Sequence, residues 1–376
     1  MSELSNVSCY VTEKISVDNI DISEYITTDN LLQNKRGRVL AEKLPTQKVT
    51  KFKKDDILIA NIRPYLKKIW QADIEGGASS DVLVIRPNDL IDNNFLYYAL
   101  TQDSFFEYVM KGSKGTKMPR GDKSQIMNFV IPDLDIDEQI KIGKLLKSID
   151  QKIQINNQIN QELEAMAKTL YDYWFVQFDF PDQNGKPYKS SGGKMVYHPE
   201  LKREIPEGWG VEKLSHFLTI KNGKDHKHLQ DGKFAVYGSG GIMRTVTDYL
   251  YSGESILFPR KGTLNNVMYV NEKFWTVDTM FYSEVNKNNS ALYVFYSVKD
   301  IDFNKLNTGT GVPSMTSSIL YDLSIIVPED NILEKFNTVV KRNYETIKLN
   351  NIQNQELIQL RDWLLPMLMN GQVKVE

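Results

Sequence analysis

The stretch Ile155-Asn156-Asn157-Gln158-Ile159-Asn160-Gln161-Glu162-Leu163 returns 194 residues later as Leu349-Asn350-Asn351-Ile352-Gln353-Asn354-Gln355-Glu356-Leu357, with six identical positions. Working outward, Gly115-Thr116-Lys117-Met118-Pro119 matches Gly309-Thr310-Gly311-Val312-Pro313. Asn128-Phe129-Val130-Ile131-Pro132 matches Ser324-Ile325-Ile326-Val327-Pro328. Asp56-Ile57-Leu58-Ile59 resembles Ser255-Ile256-Leu257-Phe258. The period is far too long for a solenoid. It reads as the duplication of one unit: a mixed region, a strand ending in Pro, and a long helix.

From Asp137 to about Phe178 the chain has no Pro and only Gly143. Ile142, Leu146, Ile149, Ile153, Asn156, Asn160, Leu163, Ala167, Leu170 and Trp174 step alternately by four and three. The second set is Phe336, Val340, Asn343, Ile347, Asn350, Asn354, Leu357, Arg361, Leu364 and Leu368, with Asn343 and Arg361 as its weak points. A mean step of about 3.5 predicts a coiled coil; the alternative is two amphipathic helices, each packed on its own domain. In an antiparallel pair Asn156 and Asn160 meet Asn350 and Asn354 near the centre. Polar seam residues there either fix register and orientation at some cost in stability or form a partly solvated waist. About 40 residues at ~1.5 Å each make a helix about 60 Å long, enough to hold the other regions well apart.

Those regions, 1–136 and 181–329, are rich in short β-type runs broken by Gly, Asn, Asp and Pro, such as Ser80–Ile85 and Lys233–Tyr237. Short helices are expected at Asn93–Val109 and Ser290–Val298, and Pro181–Gly193 reads as a turn-rich linker. The fold class is therefore α+β. Two tandem globular domains, 1–136 and 181–329, are each followed by a long helix, 137–180 and 330–376, in a pseudo-twofold duplication with an antiparallel coiled coil.

The 376 residues are 41% hydrophobic and 25% charged, values of an ordinary globular protein. No run approaches the ~18 apolar residues of a spanning helix. The first residues lack a basic stretch followed by an apolar run, so no signal peptide is expected and the reading is cytoplasmic. The single cysteine, Cys9, excludes an internal disulfide and a Cys-cluster metal site.

Catalytic motifs are missing. There is no Walker P-loop, Gly-x-Ser-x-Gly elbow or His-Glu-x-x-His helix, and no Asn/Asp-Pro-Pro-Tyr/Phe run of adenine methyltransferases. Gly238-Ser239-Gly240-Gly241 lacks the third spacing of a dinucleotide fingerprint and reads as a β-turn. His226 and His228 sit among Lys221, Lys224 and Lys227, which would repel a metal cation. Pro181-Asp182 with Glu200-Leu201-Lys202 fits the loose Pro-Asp…Glu-x-Lys pattern of Mg-dependent nucleases, a pattern short enough to arise by chance.

Charge is more informative in blocks. The chain carries 46 Lys+Arg against 48 Asp+Glu, a formal −2 that argues against a nucleic-acid partner when taken as a whole. Residues 35–68, however, carry a net +8, 111–124 a net +4 and 213–233 a net +3. Asn61-Ile62-Arg63-Pro64-Tyr65-Leu66-Lys67-Lys68 parallels Arg260-Lys261-Gly262-Thr263-Leu264-Asn265-Asn266. Lys and Arg bind phosphates, while Arg and Asn/Gln read guanine and adenine edges, a mixture suited to duplex DNA. The candidate DNA-binding residues are Asn61, Arg63, Lys67, Lys68, Lys114, Lys117, Arg120, Lys221, Lys224, Arg260, Lys261, Asn265 and Asn266. The competing reading for each is a solvated charged face.

Beyond the duplication, the chain carries Asp137-Glu138-Gln139-Ile140, Leu170-Tyr171-Asp172-Tyr173-Trp174-Phe175-Val176-Gln177-Phe178-Asp179-Phe180-Pro181, Asn184-Gly185-Lys186-Pro187-Tyr188-Lys189-Ser190-Ser191-Gly192-Gly193-Lys194 and Glu204-Ile205-Pro206-Glu207-Gly208-Trp209. In these it resembles the specificity subunit of type I restriction-modification enzymes over nearly its whole length. That resemblance implies two target-recognition domains, each reading one half of a bipartite DNA site, and a coiled coil that sets the spacer. It implies a non-catalytic chain that docks two modification (methyltransferase) subunits and further motor-nuclease subunits. S-adenosylmethionine, ATP and Mg are then expected on those partners and no cofactor on this chain. The Ile155, Ile159 and Met166 face lies off the seam and is expected to receive a partner subunit. One departure is that no Pro-Glu-Gly-Trp run opens the first domain as Pro206–Trp209 opens the second. A standalone DNA-binding scaffold or tether is the competing class, and a Mg-dependent nuclease the third.

Overall fold

The computed structural model describes residues 2–309 and 311–376, so Met1 and Thr310 of the second Gly-Thr motif lie outside the described residues. The chain divides into two compact units. One holds residues up to Asn157 together with Asn351–Glu376; the other is Gln158–Asn350.

In the first unit an antiparallel sheet runs in the order Ser8–Tyr10, Val82–Pro87, Ile57–Ala60, Ile69–Gln71. Ile57-Leu58-Ile59-Ala60 is buried throughout because successive side chains face opposite sides and both sides are covered. Ile57 and Ile59 join a core with Leu4, Phe95, Leu96 and Phe105, while Leu58 and Ala60 join Ile26, Phe52 and Trp70. A second sheet has the order Lys14–Ile15, Val49–Phe52, Gly76–Ala78, Tyr25–Ile26. It requires glycine at 76, where a Cβ would come within 2.1 Å of the Glu24 carbonyl oxygen.

The helix expected over Asn93–Val109 is two helices, Asn93–Thr101 and Asp103–Lys111. The Asp92 carboxylate caps the first by accepting from the Phe95 N–H, and Gln102, with ψ 146°, breaks the run. Ser2–Glu3 pairs antiparallel with Val130–Ile131. The second copy opens the same way, with Gly210–Lys213 paired to Ser324–Val327. In both copies a four-residue helix follows directly, Leu4–Val7 and Leu214–Phe217. Pro206–Trp209 thus precedes the first strand of the second copy.

In the second unit the sheet has six strands, ordered Leu218–Asn222, Met280–Val285, Tyr251–Pro259, Met268–Thr276, Asp231–Gly238, Gly241–Val246. The first four repeat the order of the first unit's sheet; the last two are an added hairpin. Helix Ala291–Lys299 is buried along its length against this sheet's core.

The long helices span Ile136–Tyr171 and Asp330–Met369. The first continues as a π-helical turn over Asp172–Val176, closed by the Gln177 N–H donating to the Asp172 carbonyl at 2.9 Å. It ends before Phe178, whose φ of 67° is left-handed. The segments run antiparallel within each unit. In the first, Asn156 meets Asn354 while Asp150 meets Arg361. In the second, Asn160 meets Asn350 while the Leu163 carbonyl accepts from Asn343. Every seam position named above is buried or half-buried, and the same segments also pack on their unit's globular part. The two readings of the helices are therefore not exclusive.

Pro181–Gly193 is not a linker but a folded cap. Phe180 stacks on Tyr188 and Trp209, each at 4.7 Å, and buried Asp179 accepts from the Ser190 N–H at 2.7 Å. The Ser190 hydroxyl and N–H hold the Asp179 carboxyl below its ordinary range.

Candidate nucleic-acid interface

In the first unit strand Ile57–Ala60 runs into the loop Asn61–Lys68. Its single turn, Pro64–Leu66, is flanked by Arg63 and Lys67, both in the left-handed region with φ 52° and 50°. This loop is laddered to the one carrying Gly115–Pro119. The Arg63 N–H donates to the Pro119 carbonyl at 2.8 Å and the Gly121 N–H to the Asn61 carbonyl at 3.2 Å. Lys114 and Arg120 exchange backbone bonds of 2.9 and 3.0 Å across the second loop. The ladder gathers Arg63, Lys114, Lys117 and Arg120, all exposed, onto one pair of loops.

Their partners differ. Lys67 and Lys35 flank Asp103 at 2.9 and 3.1 Å, and the Lys67 ammonium foremost holds that carboxyl below its ordinary range. Lys68 donates to the Thr28 carbonyl. Lys114 pairs with Asp122 at 3.1 Å and Arg120 with Asp81 at 3.2 Å. The side chains of Arg63 and Lys117 have no ionic or hydrogen-bonding partner among the described residues. The Asn61 side-chain oxygen is buried without a donor.

The second unit repeats the ladder. The Met315 N–H donates to the Arg260 carbonyl at 2.9 Å and the Gly262 N–H to the Pro313 carbonyl at 3.1 Å. Asn61 therefore corresponds to Arg260, Arg63 to Gly262, and Pro119 to Pro313. Arg260 lies over the Phe281 ring at 5.9 Å, and Lys261 is exposed with a free ammonium among the described residues. Lys224 is brought to the same end of the sheet. The Gly223 N–H donates to the Met280 carbonyl and the Arg260 N–H to the Thr279 carbonyl, so one turn carries both segments. The Lys224 ammonium is likewise unpaired among the described residues, whereas Lys221 lies 3.7 Å from Glu284.

Two expected base readers are occupied. Asn265 donates to Asp302 at 3.1 Å, and Asn266 donates to the Ser239 carbonyl at 2.8 Å. The Asn265 amide holds the Asp302 carboxyl below its ordinary range. Both bonds span more than 25 residues of sequence, so local pattern could not reveal them.

The nuclease pattern is not assembled as a metal site. Asp182 closes a turn by accepting from the Asn184 and Lys186 N–H groups at 2.8 Å. Glu200 accepts from Ser324 and from Lys213. His228 packs edge-on against Trp275 at 6.0 Å. Among the described residues no group of three or more His, Cys, Asp or Glu could hold a metal ion. Nor is any helix among them long and apolar enough to cross a membrane.

At the seam, Asn156 donates to Gln353 at 2.8 Å and Asn354 at 2.9 Å, Asn354 donates to Asn157 at 2.9 Å, and Asn350 donates to Asn160 at 2.8 Å. Off the seam, Ile155, Ile159 and Met166 are 51%, 40% and 60% exposed.

A family model described as the type I restriction modification DNA specificity domain matches residues 4–165 and again 206–359, once on each copy of the repeat. The chain belongs to this family. Its relatives include the specificity subunit of the type I restriction enzyme MjaIX from Methanocaldococcus jannaschii, 29% identical over 78% of this chain and 72% of that one. The HindI specificity subunit from Haemophilus influenzae is 23% identical over 98% of both chains. A crystal structure of the type I restriction-modification S subunit from M. genitalium shares the fold, with a TM-score of 0.64 at 17% identity, covering 98% of this chain and 95% of that one. The specificity family is thus matched across both copies, including the globular parts whose loops carry the free cations.

Proposed function

We propose that this chain is the sequence-recognition subunit of a type I restriction-modification complex and carries no catalytic site of its own. Each globular region reads one half of a bipartite DNA site. The paired long helices set the unread spacer and dock two modification subunits, and motor-nuclease subunits complete the complex. S-adenosylmethionine, ATP and Mg belong to those partners.

The observation that carries this reading is the repeated ladder. In a chain of this family, the same loop pair recurs in both copies and carries exposed cations unpaired among the described residues, Arg63 and Lys117 in the first copy and Lys261 in the second, where Lys224 adds another from the adjoining turn. Unpaired cations at loop ends suit phosphates, which position a protein on the duplex. Lys67, Lys114, Arg120 and Lys221 contribute less, because binding DNA means exchanging an existing carboxylate for a phosphate. A near-neutral chain with these local excesses binds DNA weakly alone and tightly with its modification partners.

The test is to express the chain with its modification subunit and sequence the methylated positions in host DNA. Two specified segments separated by a fixed unspecified spacer are expected. Methylation without a bipartite motif contradicts the reading, and DNA cleavage by the purified chain with Mg alone would revive the nuclease.

A further inference from the structure

The hairpin that the first unit lacks, Asp231–Gly238 with Gly241–Val246, turns through Ser239-Gly240 and ends beside the basic loop of the second unit. Two observations fix that placement. Asn266 donates its side-chain N–H to the Ser239 carbonyl at 2.8 Å. Gly262, with φ 90°, approaches Ser239 so closely that a Cβ would lie 2.9 Å from its hydroxyl. The same Gly262 is laddered to Pro313, so the hairpin tip, the Arg260–Asn266 loop and the Val312–Pro313 loop converge at one glycine.

What the tip presents is apolar. Ile242 and Met243 are 63% and 60% exposed. Tyr237 pairs with Ile242 and Val236 with Arg244, so Met243 is the extra residue of a β-bulge, and both apolar side chains are left uncovered beside the turn. Nearby Val312 is 61% exposed. An uncovered apolar ribbon end next to Arg260 and Lys261 matches a surface that offers phosphates at its rim and a methyl group within. The major groove of DNA is such a surface. At about 12 Å it is wide enough for a two-stranded ribbon, and thymine's 5-methyl is its one apolar group; the minor groove, about 6 Å wide, is too narrow.

We propose, building on the recognition reading above, that this hairpin tip is a base-reading element of the second globular region. Ile242 and Met243 contact a thymine methyl in the second half-site. Asn266 is a positioning residue that holds the tip on the basic loop rather than a reader of adenine.

The test uses the chain assembled with its modification subunits and duplexes carrying the methylated motif. Each thymine of the second half-site is replaced in turn by deoxyuridine, which removes only the methyl. At one position at least, the wild-type complex is expected to bind the deoxyuridine duplex about 3- to 10-fold more weakly, the scale of one buried methyl group. The Ile242→Ala/Met243→Ala double variant, altered only at exposed positions, should bind both duplexes equally. Asn266→Ala should reduce the thymine preference while leaving the salt dependence of binding unchanged. Equal wild-type affinity for thymine and deoxyuridine throughout, a second half-site without A·T pairs, or a double variant that keeps the preference overturns the assignment. A complex with no sequence preference at all overturns the recognition reading as well, and is distinguishable from those outcomes.

Discussion

The Arg361 guanidinium lies 2.7 Å from one oxygen of Asp150, and the other oxygen of Asp150 accepts the Tyr98 hydroxyl at 2.7 Å. Arg361 is thus no flaw in the helix seam. It neutralises a carboxylate that ties helix Asn93–Thr101 to both long-helix segments of the first unit. In the repeat, Asp150 corresponds to Tyr344 and Arg361 to Ala167. There the same place is aromatic, with Tyr344 edge-on to Tyr269 at 4.6 Å and to Phe295 at 6.5 Å. The duplicated units hold their helices by different chemistry.

Asp150→Ala leaves the Tyr98 hydroxyl without its acceptor and the partly buried Arg361 guanidinium with Asp362 alone, at 2.9 Å. It should destabilise the chain by about 2 kcal/mol, below the range for fully buried pairs because the two side chains keep 32% and 22% exposure. Chemical denaturation checks it. Adding Arg361→Ala should recover part of the loss, as expected for residues in direct contact.

Arg63 and Lys67 stand on one loop but should behave differently in binding. Arg63→Ala removes an unpaired cation and should lower the slope of log affinity against log salt by about 0.9, the value for one phosphate contact. Lys67→Ala, releasing a lysine already held by Asp103, should change it less. Titrating the assembled complex with cognate DNA at several salt concentrations separates the two. Equal, negligible effects count against Arg63 as a phosphate contact.

Asn156 is fully buried and Asn354 nearly so. Replacing both by Leu should raise the unfolding midpoint, since well-packed apolar groups commonly equal or exceed buried polar pairs. If the amides set register, the same variant should methylate sites with more than one spacer length. A single spacer would assign register to the other seam residues.

Ile155→Asp/Met166→Asp places charge on exposed positions, so unfolding should shift by less than about 0.5 kcal/mol per site. Co-purification with the modification subunit should be lost. Retained co-purification would move the docking surface elsewhere.

Much of this architecture is legible in the sequence because it is periodic. The 194-residue repeat and the alternating steps of four and three locate the long helices, and the Gly-Thr motifs locate the matched loops. What escapes is not local. Phe105 and Phe106 continue the apolar pattern past Gln102, hiding the break between two helices. Ser2–Glu3 is too short a strand to carry a pattern of its own. The Gly- and Ser-rich Pro181–Gly193 reads as linker because its order comes from Trp209 and Phe180 stacking across sequence. Likewise, the basic residues are visible in sequence, but which of them are already paired depends on carboxylates such as Asp103 that the fold brings in.

The most direct measurement of the central claim is the methylation motif of a chimera. In it residues 181–329 are replaced by the equivalent region of another family member, and the chimera is expressed with its modification subunit. The account predicts that the half-site read by the first globular region is unchanged, the spacer is kept, and the other half-site alone becomes that of the donor. A motif in which both halves change, or neither does, would contradict it.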